Sequence, residues 1–99
     1  MVKVVVLYGH PSDPAAFEEH YAGTHEPLVA KIPGLRLFEA SRVVGAADGD
    51  SPYYRLAELS FESQQALQEG LSSPEGQATV ADLPNFASGG ATVLFAEVV

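Results

Sequence analysis

The chain has no cysteine, no tryptophan and one methionine, and five lysines and arginines stand against 13 aspartates and glutamates. Without cysteine there is no disulfide, no thiolate nucleophile and no thiolate-bound zinc. The formal net charge of −8 repels phosphate backbones and anionic headgroups, which argues against nucleic acid and membrane surfaces as partners. No apolar run nears the roughly 18 residues of a membrane span, and the opening MVKVVVLYGH turns polar too soon for a signal peptide. These absences lead us to expect a cytoplasmic protein. Also missing are a nucleophile elbow, a P-loop and a dinucleotide-type glycine motif, so no nicotinamide, flavin or nucleotide cofactor is expected. There is no H-E-x-x-H, and His20 and His25 are five apart, neither i+3 nor i+4, so no helical metal pair is expected.

What is present is ordinary globular composition. A length of 99 residues with 46% hydrophobic side chains points to a single domain, residues 1–99. A domain this small buries a modest part of its surface, and self-association would add to it.

VKVVVLY near the start is β-branched and reads as a strand, with Val2, Val4, Val6 and Tyr8 on one face and Val5 and Leu7 on the other. Both faces are apolar, so both are expected to be covered. Asp13-Pro14 is a strong helix start, a capping carboxylate followed by a residue that needs no N–H bond. Phe17, His20, Tyr21, Thr24 and Leu28 fall on one stripe at helical spacing. Pro27 disfavours helical geometry at Glu26, which predicts a kink or break near His25. Further strands are predicted over 35–44, 53–61 and 91–99, and a second helix begins after Ser63. Residues 72–90 read as a long connection containing a short helix that starts at Ser73-Pro74 and stops at Leu83-Pro84. The order β, α, β, β, α, β is the split-βαβ, ferredoxin-like α+β pattern, with a four-stranded antiparallel sheet under two helices. Two such sheets packed face to face would bury the second apolar face.

His25 is the leading candidate for chemistry, because an imidazole titrates near neutral pH and the expected break turns it inward. The competing reading is a core or capping histidine. His20, among Glu18 and Glu19, reads as a solvated or partly packed helix residue, and His10, before Pro11, as a turn residue, with a place at the mouth of a pocket as the alternative. Tyr8, Tyr53 and Tyr54 lie at strand ends, where a ring packs and a hydroxyl can reach a cavity. In DLPNF, Asp82 and Asn85 either end a helix or orient a histidine or ligand. Arg55 is expected to pair with Glu39 or Glu58, or to hold an anionic ligand.

The stretch YGHPSDPAAFEEHYAGTHEPLVAKIPGL resembles the opening half of the EthD family, through His10-Pro11, Asp13-Pro14, Phe17, Tyr21, His25, Pro27-Leu28 and Pro33-Gly34-Leu35. SPEGQATVADLPNFASGG is similar to its later segment at Asp82, Asn85 and Phe86. The resemblance implies a dimeric α+β barrel, a homodimer with a ligand pocket between helices and sheet in each subunit. His25 matches the family's characteristic histidine. Similar fungal proteins are dehydratases or decarboxylases of aromatic polyketides, and other barrels of this kind include cofactor-free monooxygenases, lactone isomerases and haem enzymes. The resulting expectation is a cofactor-free enzyme acting on a small apolar or aromatic, oxygen-bearing substrate. His25 would be its general acid or base, with Tyr8, His10, Tyr21, Tyr54, Asp82, Asn85 and Phe86 around the substrate. Alternatives are a binding or accessory dimer that holds such a ligand without turnover, and a purely structural dimer. Haem use has only a histidine in its favour.

Overall fold

The first strand, β1 (Val2–Gly9), alternates as its sequence requires: Val4, Val6 and Tyr8 are buried, and Val5 and Leu7 between them are half-buried. In this computed structural model, which describes all 99 residues, β1 is an inner strand of a four-stranded sheet ordered β2-β3-β1-β4. Its neighbours are β3 (Tyr53–Phe61) and β4 (Ala91–Glu97), while β2 (Leu37–Arg42) pairs with β3 at one edge, and every pairing is antiparallel. This is the expected ferredoxin-like order. β2 is shorter than the span 35–44, although Arg36 N–H still donates to Ser60 O and Val43 N–H to Tyr54 O. The ladder outlasts the regular strand at this free edge.

The helical run after β1 is not broken. It comprises α1 (Pro14–His20), a π turn (Tyr21–His25) and α2 (Glu26–Ala30). Asp13 caps it, its carboxylate accepting from Ala16 N–H at 3.2 Å. Pro27 has no N–H to give, and in an α-helix its ring would press on the carbonyl four residues back. The π turn widens the backbone just ahead of it: Glu26 N–H reaches Tyr21 O, five residues back, and Glu26 stays helical at φ −58°, ψ −41°. The expected kink is therefore a one-turn widening. It also alters the buried stripe, which is Phe17, Tyr21, His25 and Val29, while Thr24 is exposed and Leu28 half-buried.

The helix expected within residues 72–90 starts and stops where Ser73-Pro74 and Leu83-Pro84 place it. Helix α3 (Gln64–Ser72), capped by Ser63, is followed directly by α4 (Pro74–Asp82), capped by Ser73, and by a 3₁₀ turn at Leu83–Asn85. Two glycines permit this. A Cβ on Gly76 would lie 2.2 Å from Gly70 O, and one on Gly70 would lie 2.7 Å from Pro33 O. Gly76 is what lets α4 fold back against α3, and Gly70, which costs helix propensity, lets α3 pack against Pro33 and Phe61.

Between helices and sheet lies the core, with Tyr8, Phe17, Tyr21, Val29 and Phe61 almost wholly buried. Each large ring removed from water contributes on the order of 2–3 kcal/mol. No element of the chain covers the opposite sheet face. There Lys3 pairs with Glu58 at 3.1 Å, and Leu37 and Leu94 stay about half exposed.

Candidate functional site

Asp82, the last residue of α4, is buried beneath the first helical run and holds two histidines from it. Its Oδ2 lies 2.9 Å from His25 Nδ1, and its Oδ1 and Oδ2 lie 2.9 and 3.0 Å from His20 Nε2. Asn85, in the following 3₁₀ turn, donates from Nδ2 to Oδ1 at 3.0 Å. The π turn brings the two rings together: a five-residue separation that diverges on an α-helix is close to one turn here. His20 is therefore partly packed, with its ring tied to Asp82, a bond that its neighbours Glu18 and Glu19 did not suggest.

The protonation states follow from these bonds. Burial pushes the Asp82 carboxyl up, but the hydrogen bonds from Asn85, His20 and His25 outweigh it and hold the group below the usual carboxylate range. Asp82 is thus ionised and can only accept. Burial lowers His25 below the ordinary imidazole value, against the opposing pull of the Asp82 bond and charge. At neutral pH His25 is then a neutral ring whose Nδ1–H donates to Asp82, which leaves Nε2 as a free base.

The His25 ring lines a small cavity between helices and sheet of about 50 Å³, with Tyr8, Tyr21, Val29, Ala57 and Val93 among its walls. Phe86 packs on both histidines, 4.6 Å from the His25 ring centre and 5.3 Å from that of His20, nearly parallel to the latter. Tyr8 and Phe17 meet edge to face at 5.5 Å, and Phe17 stacks on Tyr21 at 5.6 Å. Burial pushes the Tyr21 phenol up to about 12 and raises that of Tyr8 further, so both are hydrogen-bond donors throughout the neutral range. The Tyr21 hydroxyl and Arg55 Nε are buried without a hydrogen-bond partner.

A second polar cluster lies on the other side of Phe17 and Tyr21. Glu18 accepts from Tyr54 Oη at 2.8 Å and pairs with Arg55. Arg55 therefore pairs across to α1, not with Glu39 or Glu58. A register shift in the β1–β3 ladder, where Tyr8 opposes Arg55 and Gly9 opposes Tyr53, lets the consecutive residues Tyr54 and Arg55 reach the same carboxylate. The Arg55 guanidinium also lies 4.3 Å from the Tyr21 ring centre.

Of the residues singled out in the sequence, Tyr8, Tyr21 and His25 line the cavity, and Asp82, Asn85 and Phe86 surround His25 from outside it. Tyr53, Tyr54 and His10 do not join them: Tyr54 belongs to the Glu18 cluster, Tyr53 is exposed, and His10 is exposed with Nε2 2.8 Å from Ser51 O. His20 was the residue missed, and the signal for it was Pro27, whose missing N–H favours a π turn.

A four-stranded antiparallel sheet carrying its helices on one face, with a histidine beneath them, places the molecule among ferredoxin-like α+β proteins. A family model described as the EthD domain matches residues 10–90, and the chain belongs to the EthD family. An uncharacterized 11.0 kDa protein of Rhodococcus erythropolis, from the thcB–thcC intergenic region, is 48% identical over 98 residues, 98% of this chain and 94% of that one. The crystal structure of an EthD family protein from Bacillus halodurans superposes with a TM-score of 0.94 at 39% identity, covering 100% of this chain and 99% of that one. A dimeric ferredoxin-like protein of unknown function from Thermobifida fusca shares the fold, with a TM-score of 0.73 at 14% identity over 98% of this chain and 90% of that one.

Proposed function

We propose that this protein is a cofactor-free enzyme, working as a homodimer, in which His25 moves a proton on a small apolar or aromatic, oxygen-bearing substrate. The observation that carries this reading is the bond from His25 Nδ1 to Asp82 on a ring that lines an apolar cavity. A buried carboxylate that fixes the tautomer and would stabilise the imidazolium is what a general base requires. Nε2 takes a proton from carbon next to a carbonyl, and the hydroxyl of Tyr21 or Tyr8 donates to the developing enolate oxygen. Returning the proton to another carbon gives isomerisation; returning it to a hydroxyl on the neighbouring carbon expels water. Neither needs an oxidant or a co-reactant.

Size sets a condition. A cavity of about 50 Å³ has room for one or two waters, whereas small-molecule sites span roughly 300–1,000 Å³. Substrate entry therefore requires rim side chains to move. Val80 and Val93, at 53% and 43% exposure, are the most exposed parts of the lining. The open sheet face, with Leu37 and Leu94 exposed, supports pairing with a second copy, as do the relatives described as dimeric.

The test is a panel of phenols, lactones and ketones, screened for binding by thermal shift and for turnover by mass spectrometry. His25→Asn, which keeps a donor for Asp82 but has no base, is expected to lower turnover by about 10²- to 10⁴-fold with little change in affinity. Binding without turnover in the native protein would favour the accessory reading. Turnover that survives His25→Asn would end the assignment of His25.

A further inference from the structure

His20 differs from His25 in one respect that matters: it faces solvent. Its side chain is 29% exposed, against 4% for His25, and two surface clefts flank it. Yet both rings end on one carboxylate, at 2.9 Å each. One negative charge neutralises one imidazolium. A second would share the same partner and repel the first at close range, where like charges act most strongly.

We infer that His20 controls the protonation of His25 through the carboxylate the two rings share, so that solvent pH is sensed at His20 and felt in the cavity. When His20 takes a proton it becomes the stronger claimant on Asp82, and a proton on His25 Nε2 is less well held. When His20 is neutral, the full charge of Asp82 is available to a His25 cation. His20 is thus a positioning residue for the proposed chemistry and does not touch the substrate.

The remaining surroundings of His25 do not duplicate this control. Glu26, its neighbour in the chain, is a carboxylate whose charge favours a cation on His25. From the sheet and from its own helix come the Tyr8 and Tyr21 phenols, which remain protonated. The Arg55 cation beside Tyr21 is paired with Glu18. Thr79, Asn85 and Phe86, from α4 and the turn after it, carry no charge. Among these groups His20 alone both reaches solvent and carries a ring able to take up a proton beside Asp82.

The inference rests on the reading of His25 as a proton-transfer group only for its consequence in turnover; the experiment reads the rings directly. The chain has three histidines, so its imidazole C–H resonances can be assigned and titrated by NMR in the folded protein. His20→Gln keeps a neutral donor where Nε2 lies, and His20→Lys puts a permanent cation there. Position 20 reaches solvent, so both variants are expected to fold. The His25 midpoint should rise by about half a unit to one unit in His20→Gln and fall below the native value in His20→Lys. The native His25 curve should also bend where His20 titrates, and that bend should vanish in His20→Gln. A His25 midpoint that is the same in all three proteins would overturn the inference while leaving the role of His25 in turnover to its own test.

Discussion

Two carboxylates, one on the first helical run and one at the end of α4, tie that run to the rest of the fold, and they do different things. Glu18 holds Tyr54 and Arg55; Asp82 holds Asn85, His20 and His25. In each case burial pushes the carboxyl up and its hydrogen-bond donors outweigh that, so both are held below their ordinary range. The partners make the difference. A guanidinium keeps its charge at every pH a folded protein meets, and a phenol keeps its proton. The Glu18 cluster is therefore electrostatically fixed and works as a tie between α1 and β3. The Asp82 cluster has two imidazole partners, side chains that can exchange a proton, and one of them lines a cavity. A low carboxyl pKa does not mark a site by itself; what marks it is a partner able to exchange a proton.

The sharpest way to break this comparison is to neutralise each carboxylate in turn. Asp82→Asn sets an amide against two imidazole donors in a buried position, and should cost about 2–3 kcal/mol in urea unfolding. Glu18→Gln acts on a pair whose carboxylate side chain is 36% exposed, so solvent screening should hold the loss to about 1 kcal/mol. Equal losses would show that the two clusters are equivalent ties.

Acid should separate them next. His25 is lowered in the fold relative to the unfolded chain, so below about pH 6.5 the unfolded chain binds the extra proton first. Stability from this source is complete above that pH and is lost as pH falls through the folded value. Asp82 and Glu18, also lowered, lose their contributions only in the more acidic range of carboxylates. Denaturation midpoints followed downward from pH 7.5 should therefore fall in two stages, and His25→Asn should remove the first. The smallest expected effect belongs to the group between the clusters. Tyr21→Phe deletes a buried hydroxyl with no partner, so stability should stay within about 0.5 kcal/mol or rise. Any fall in turnover would then report a role for that hydroxyl in substrate binding or catalysis.

Much of the scaffold could be read in advance, because local chemistry specifies it. The Asp13 and Ser63 caps and the strand Tyr53–Phe61 lie where residue type places them. His25 turns inward as expected, for a reason other than the one expected. What could not be read depends on contacts across the chain. Asp82 meets histidines 57 and 62 residues away, and no local rule pairs them. The register shift that sends Tyr54 and Arg55 to Glu18 is equally invisible in a strand pattern of period two. Helical spacing put His20 on the stripe with Phe17 and Tyr21; what it could not supply is the π turn that brings its ring and that of His25 to one carboxylate.

That π turn also bears on how the segment tolerates changes of length. A π turn is an α-helix that has taken in one extra residue, and the helices on either side keep their faces. Removing Gly23, which is exposed and has open space where a Cβ would stand, would set the two histidines four apart, still on the side of Asp82. What such a deletion could not keep is Pro27, which an ordinary α-helix would force against a carbonyl. The extra residue and the proline are therefore a matched pair. In any related chain a gap of one residue at this point should come with a residue other than proline two places after the histidine.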